Sequence, residues 1–394
     1  MHDKALDPSS ATSYAYTMKI LITGGHLTPA LAVIKKLPQD AQVVYVGRQY
    51  ALEGDNALSL EYKTMTTGNI PFIAFTPGRL QRKLTKHTFT SLSRVPVSVF
   101  RAIAILRQEK PDVVLTFGGH VALPFGIAAK IVGIPLMLHE QTLEAGLTNK
   151  ILARFATKIG ISWESSANFF PKDKTMLTGN PILPASPSDD MQQLLAKVSN
   201  KFPLIVITGG SLGSHAINAL VEPILGKLLT KYTILHQTGD AKAFADYDLL
   251  TKRRSTFPYT FQERYILRKF VSPDDMRYIF SQASIVVARS GINTVVALLL
   301  GDTPALLIPL PYSQGQEQMK NAIFLKESGL GEVLVQDELT SEKLLGAVDL
   351  LMRNKEKYTN TKKEEMEKLH GTAAEKIIQV IYGITKDRLQ KKIS

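Results

Sequence analysis

The stretch "LITGGHLTPAL", Leu21–Leu31, joins a β-rich run to a helical one through two glycines and a histidine. The aliphatic residues before the glycines read as a buried strand, and Pro29 behind them opens a helix, because the first turn leaves its N–H groups unbonded in any case. A glycine turn placed between strand and helix lets backbone N–H groups and the helix N-terminus meet an anion with no Cβ in the way. Alone it is a weak motif. His26 stands at its lip, where an imidazole of ordinary pKa ~6.5 can take a proton from an attacking hydroxyl near neutral pH. The bland alternative is a histidine that caps a backbone group.

The same punctuation recurs along the chain. "MKILIT", "QVVYVG", "DVVLTFGG" and "IPLMLHE" read as buried parallel strands separated by helical segments. After "GNPILPASPSDD" the pattern restarts with "PLIVITGG", "TILHQTG", "YILRKFV", "ASIVVARSG" and "ALLIPLP". The expected fold is α/β: two Rossmann-like, doubly wound domains that face one another across a cleft at the carboxyl ends of their strands, where ligands of such sheets bind. The expected divisions are an N-terminal extension at 1–17, a first domain at 18–184, a linker at 185–202 and a second domain at 203–369. A total of 394 residues suits two cores of this size.

Apolar residues make up 44% and charged residues 21%, as in ordinary globular chains, and there is no cysteine, which excludes disulfides and thiolate metal sites. The first seventeen residues have no apolar core and resemble neither a signal nor a transit peptide. No apolar run is long and clean enough for a membrane span. The net charge of +12 is unevenly placed. Between Phe72 and Gln108 lie Arg79, Arg82, Lys83, Lys86, Arg94, Arg101 and Arg107, interleaved with Phe75, Leu80, Leu84 and Phe100, and no acidic residue occurs. Such a stretch can bind anionic headgroups at about 1 kcal/mol per basic side chain, or it can be a plain solvated face. No recognition motif supports nucleic acid.

Further polar clusters close the other strands. "TFGGHVALP" and "LMLHEQTLEAGLTNK" bring Gly118, Gly119, His139, Glu140 and Gln141 to one edge, with a ligand contact or a structural ion pair as readings for Glu140. "VITGGSLGSHAINAL" supplies Ser211 and Ser214, which can donate to phosphate oxygens, and "VVARSGINTVVALLLG" supplies Arg289, Ser290 and Gly291 at a third glycine turn, which can equally be an N-capped core helix whose arginine pairs with a carboxylate. Gln318 and Asn321 lie three apart on one helix face, able to read sugar hydroxyls or to be plain surface. There is no metal-binding signature and no serine-hydrolase elbow.

In order, "TGGHLTPALAV", "FGGHVALP", "GIPLMLHEQTLEAGLTNK", "GNP", "GGSLGSHAIN", "HQTG", "ARSGINTVVALLLGDTPALLIPLP" and "QMKNA" resemble the bacterial MurG family, in glycosyltransferase family 28. The resemblance covers most of residues 18–350. It implies a GT-B fold and an inverting hexosyltransferase that moves N-acetylglucosamine from UDP-GlcNAc to the muramoyl 4-hydroxyl of lipid I, an undecaprenyl-linked acceptor, giving lipid II. It also implies peripheral attachment to the cytoplasmic face of the bacterial membrane, cell-wall synthesis proteins as possible partners, and no tightly bound cofactor or divalent metal. A final helix at 370–394 would return to the first domain.

Carried over by motif, Thr23, Gly24 and Gly25 lie by the donor and acceptor diphosphates, His26 is the candidate base, and Glu140 is a second catalytic candidate. His26, Gly118, Gly119, His139, Glu140, Gln141 and Asn149 fall on the acceptor side. Ser211, Val271, Arg289, Asn293, Thr294, Gln318 and Asn321 fall on the donor side, Val271 at the position whose backbone reads uracil. Arg79, Arg82, Lys83 and Lys86 become the membrane contact. The chain departs from the family where Leu21-Ile22 replaces a Gly-Gly, and where His120, Ala122, Leu123, Thr142 and Leu183 stand. Ala297 stands where a glutamate ordinarily holds the ribose, and Glu317 is the nearby carboxylate that could substitute. These departures leave open a changed donor or acceptor, or a non-catalytic binding protein.

Overall fold

The computed structural model describes residues 17–50, 58–77, 88–182, 185–198, 201–241 and 244–393. Its thirteen strands fall into two sheets. The first contains β1 (Lys19–Thr23), β2 (Gln42–Gly47), β3 (Phe72–Ala74), β4 (Val113–Thr116), β5 (Leu136–Glu140), β6 (Lys158–Ile161) and β7 (Thr175–Leu177), in the order β3-β2-β1-β4-β5-β6-β7. The second contains β8 (Leu204–Thr208), β9 (Thr233–Gln237), β10 (Tyr265–Arg268), β11 (Ile285–Ala288), β12 (Ala305–Leu307) and β13 (Gly331–Val333), in the order β10-β9-β8-β11-β12-β13. β1 pairs in parallel with both β2 and β4, and β8 with both β9 and β11. Each sheet therefore reverses its winding beside its own first strand, the switch point at which open α/β sheets bind ligands.

By contacts the chain forms two compact units: Met1–His139 with Leu147–Ile159 and Ile378–Ser394, and Glu140–Gly146 with Gly160–Ile377. In the first unit, Ile20, Leu21 and Ile22 are fully buried, as are Val113, Val114 and Leu115. Strands covered on both faces read as continuous aliphatic runs for this reason. The last helix, Ala373–Ile393, contributes Arg388, whose guanidinium donates to the Asp112 carbonyl at 3.1 Å, and Thr385, 3.7 Å from the Met18 sulfur.

In the second unit the sheet has a buried cluster on each face, one around Val206, Val286 and Leu298 and the other around Ile205, Ile224 and Val287. The stretch expected to be linker holds a helix, Asp189–Ala196, capped by Ser188, and its Met191 and Leu195 pack into the first of these clusters. Among the described residues no helix is long and apolar enough to cross a membrane.

Candidate functional site

In the first unit the ends of β1 and β4 are tied together. Thr23 Oγ1 donates to Thr116 Oγ1 at 3.0 Å, and Thr116 Oγ1 also accepts the Gly118 N–H at 3.1 Å. Gly24 N–H donates to the Val46 carbonyl at 2.6 Å, which anchors the turn to β2. The two glycine turns then meet back to back. A Cβ at Gly25, whose φ is +155°, would lie 2.3 Å from the Gly118 carbonyl oxygen, so only glycine fits. His26 is the N-cap residue of the helix Leu27–Lys36, and its side chain makes no cap hydrogen bond to that helix. It is partly exposed.

Behind this turn the acceptor-side candidates are packed rather than open. His139 is fully buried, its ring 5.6 Å from that of Phe117. Asn149 is buried too, and its amide donates to the His139 carbonyl at 3.3 Å. Sequence reasoning missed Glu61, on the first turn of the helix Leu60–Thr67. Its carboxylate accepts the backbone N–H groups of Gly25 and Arg48, and burial raises its pKa while those donors oppose the rise. Nothing in the sequence separates it from an ordinary helix-start acid. The basic residues Arg79, Arg82, Lys83 and Lys86 lie outside the described residues.

In the second unit, Glu140 organises the loop that follows it. Its Oε1 accepts Thr142 N–H at 3.0 Å and Thr142 Oγ1 at 2.7 Å, while its Oε2 accepts Gly146 N–H at 2.9 Å. Gln141 is buried, and its carbonyl accepts from the Trp163 indole at 2.9 Å. Glu317, the suggested ribose contact, bonds with the Asn321 side chain; burial and the neighbouring Glu140 and Glu144 charges raise its pKa. Ala297 is covered within the apolar core.

At the β8/β11 switch point, Ser211 is exposed while Ser214 caps the helix His215–Val221. Arg289 is a clamp: its guanidinium donates to Ser214 Oγ at 2.8 Å, Gln336 Oε1 at 2.6 Å and the Ile308 and Pro309 carbonyls at 3.0 and 3.3 Å. These are all neutral acceptors, and burial lowers its pKa. Asn321 is fully buried and donates to the Ser290 carbonyl at 3.0 Å. Gln318 Oε1 accepts the Leu310 N–H at 2.9 Å. Arg289 and Asn321, read from sequence as donor contacts, thus form the floor of the turn. Asn293 and Thr294 stay partly exposed at the start of the helix Ile292–Gly301, with Asn293 Oδ1 accepting from the Asn180 amide at 3.2 Å.

Gln237 was also missed from the sequence. At the carboxyl end of β9 its amide donates to the Gly210 carbonyl at 2.6 Å and its Oε1 accepts the Val271 N–H at 3.2 Å. One buried side chain thereby fixes the glycine turn against the residue expected to meet uracil. Its signal was a polar residue ending a buried strand, in "HQTG". No group of three or more His, Asp or Glu residues able to hold a metal occurs among the described residues.

Residues 22–161 match the glycosyltransferase family 28 N-terminal domain, and residues 204–380 match the family's C-terminal domain. A curated protein of Pediococcus pentosaceus is 32% identical over 373 residues, 92% of this chain and 98% of that protein. It is named UDP-N-acetylglucosamine--N-acetylmuramyl-(pentapeptide) pyrophosphoryl-undecaprenol N-acetylglucosamine transferase. A Clostridium kluyveri protein of the same name is 32% identical over 88% of this chain and 94% of its own length. The crystal structure of Acinetobacter baumannii MurG superposes with a TM-score of 0.63 at 26% identity, covering 93% of this chain and 99% of that one. The chain belongs to the MurG family of glycosyltransferases. Membership in this family accounts for two sheets of the same winding, each with glycine turns at its switch point.

Proposed function

We propose that the chain transfers N-acetylglucosamine from UDP-GlcNAc to the muramoyl 4-hydroxyl of lipid I, with inversion at the sugar's anomeric carbon. The supporting observation is 32% identity over nearly the full length to a protein named for this transfer, together with a glycine turn at each switch point. In this reading His26 accepts the proton of the 4-hydroxyl as that oxygen forms its bond to the anomeric carbon and the bond to UDP breaks. The leaving diphosphate gains charge, and the N–H groups of the β8 and β11 turns, with the positive Arg289 behind Ser214, suit that charge. Ser211, Asn293, Thr294 and Gln318 are the side chains offered to the donor. Arg289, Asn321 and Gln237 hold the surface they stand on. On the acceptor side Thr23, Gly24, Gly25, Gly118 and Gly119 shape the turn, with His139 and Asn149 supporting it from behind.

The reaction as proposed needs no tightly bound cofactor and no divalent metal. Attachment to the cytoplasmic face of the membrane belongs to the same reading. It is supported by the basic stretch and by exposed Val97 and Phe100 on the helix Thr88–Glu109, with Ile131 exposed on the helix Gly119–Val132. The test is a transfer assay with purified protein, a lipid I analogue and a panel of UDP-sugars. Transfer of GlcNAc alone supports the reading; transfer of none of the sugars overturns it. A changed donor is the second reading, favoured by Ala297 where the family pattern has a glutamate, and preferential use of another UDP-sugar would establish it.

A further inference from the structure

The glycine turn after β1 is not an open anion site, because the carboxyl group of Glu61 already lies against it. Glu61 Oε2 accepts the Arg48 N–H at 3.2 Å, and the carboxylate also accepts the Gly25 N–H. It lies so close that a Cβ on Gly24 would fall 2.8 Å from Oε2, and a Cβ on Gly47 would fall 2.7 Å from the same atom. Ser59 holds the start of the Glu61 helix, accepting the Tyr62 N–H at 3.0 Å and donating to the Arg48 carbonyl. A helix-start acid gains from its own helix whichever way it points. Reaching back to amides at the ends of β1 and β2 is a separate fact. The fully buried Tyr45 side chain lies against the same spot, its Cε1 2.9 Å from the Gly47 Cβ position, and its hydroxyl has no hydrogen-bond partner among the described residues.

We propose that Glu61 is a resident anion of the Gly24–Gly25 turn, which a diphosphate-bearing ligand must displace from the Gly25 N–H, and that it thereby sets the affinity of the turn for that ligand. The inference rests on the reading of this turn as a diphosphate contact. A carboxylate in this place imitates a phosphate oxygen: it satisfies an N–H that would otherwise be left without an acceptor beside a packed glycine turn. It also repels a second anion. At the effective dielectric near a protein surface, two unit charges several ångströms apart oppose one another strongly enough to change affinity on the order of tenfold or more. Only a ligand that brings further contacts then displaces Glu61, and simple phosphate is turned away.

A structural role and this role have opposite signatures. Loss of a structural hydrogen bond weakens binding, whereas removal of a competing anion strengthens it. The experiment compares wild type with Glu61→Gln, which keeps shape and one acceptor oxygen but not the charge. Binding of inorganic pyrophosphate is followed through the backbone amides of Gly24, Gly25 and Arg48 in protein labelled with ¹⁵N, and Michaelis constants for the lipid I analogue and for UDP-GlcNAc are measured separately. The expected result is that Glu61→Gln binds pyrophosphate at this turn about tenfold more tightly and lowers the Michaelis constant for the acceptor by a similar factor, with the donor constant unchanged. Unchanged or weaker pyrophosphate binding by the folded variant overturns the proposal. Should the variant fail to fold, wild type decides alone: pyrophosphate that shifts the Gly24 amide but leaves the Gly25 and Arg48 amides unmoved overturns it, and a coupled shift of all three supports it. The pyrophosphate arm needs no turnover, so its failure is distinct from failure of the transferase reading, which only the transfer assay tests.

Discussion

Replacing Glu140 by Gln separates two uses of one carboxylate. In the structure both oxygens are occupied, Oε1 by the Thr142 N–H and hydroxyl and Oε2 by the Gly146 N–H. An amide offers only one acceptor oxygen, so its NH₂ must face either the Thr142 or the Gly146 N–H. The less costly choice leaves the oxygen with Thr142 and sets NH₂ against Gly146. That removes one charge-assisted bond, worth ~1.5–3 kcal/mol, weakens two others, and leaves the Gly146 N–H without its acceptor. A loss of about 2–4 kcal/mol in stability follows, partly offset because Glu317 no longer faces the Glu140 charge. Urea unfolding followed by circular dichroism measures the loss, and turnover at saturating substrates is measured in parallel. If Glu140 is chiefly the organiser of its loop, stability falls by this amount and the turnover of the still-folded protein falls by less than about tenfold. If it were the general base, the variant would keep its unfolding midpoint and lose about 10²–10⁴ in turnover, which would refute the reasoning.

His26→Ala should lower turnover about 10²–10⁴-fold and leave UDP-GlcNAc binding, read by calorimetry, nearly unchanged; retained turnover removes His26 from the mechanism. Burial pushes the pKa of His236 down to about 3 and that of His370 down to about 4. Both are therefore neutral when folded and take up protons more readily when unfolded, so stability is complete above the ordinary value of ~6.5 and declines as pH falls toward the folded values. By pH 5 the loss is about 2 kcal/mol for each, and unfolding midpoints that stay flat from pH 7 to pH 5 would contradict it. Gly213→Ala would set a Cβ 1.9 Å from the Thr238 carbonyl at φ +76°, so UDP affinity should fall at least tenfold through displacement of the β8 turn; unaltered affinity would show that the turn adjusts freely. Replacement of Arg79, Arg82, Lys83 and Lys86 by Gln should release the protein from anionic vesicles at low salt while transfer to a short-chain soluble acceptor persists; equal vesicle binding by the variant counts against the membrane reading.

The long strands were legible because burial on both faces leaves unbroken aliphatic runs such as "KILIT" and "LIVIT". Two short ones, "FIA" at β3 and "TML" at β7, are three residues each and partly exposed, so neither a run nor an alternation has room to show. The helix Asp189–Ala196 was hidden by its own cap. Ser188, Asp189 and Asp190 are what a helix start requires, and they are equally what a linker looks like.

The site divides along the same physical line. A glycine turn at the end of a strand is a local event and could be read locally, and His26 follows it in sequence. What each polar side chain faces is settled by segments far away in the chain. Arg289 meets Ser214 and Gln336, Asn321 meets Ser290, and Gln237 spans Gly210 and Val271. A buried amide or guanidinium that has satisfied its donors on neighbouring backbone gains nothing by turning to a ligand unless those partners find replacements. Polar residues at strand ends therefore mark where a site lies, while the division between contact and support depends on which donors remain unsatisfied after folding. Glu61 carries the point furthest. Its type and position suggest only a helix start, and its reach to the amides of Gly25 and Arg48 makes it part of the first turn's chemistry.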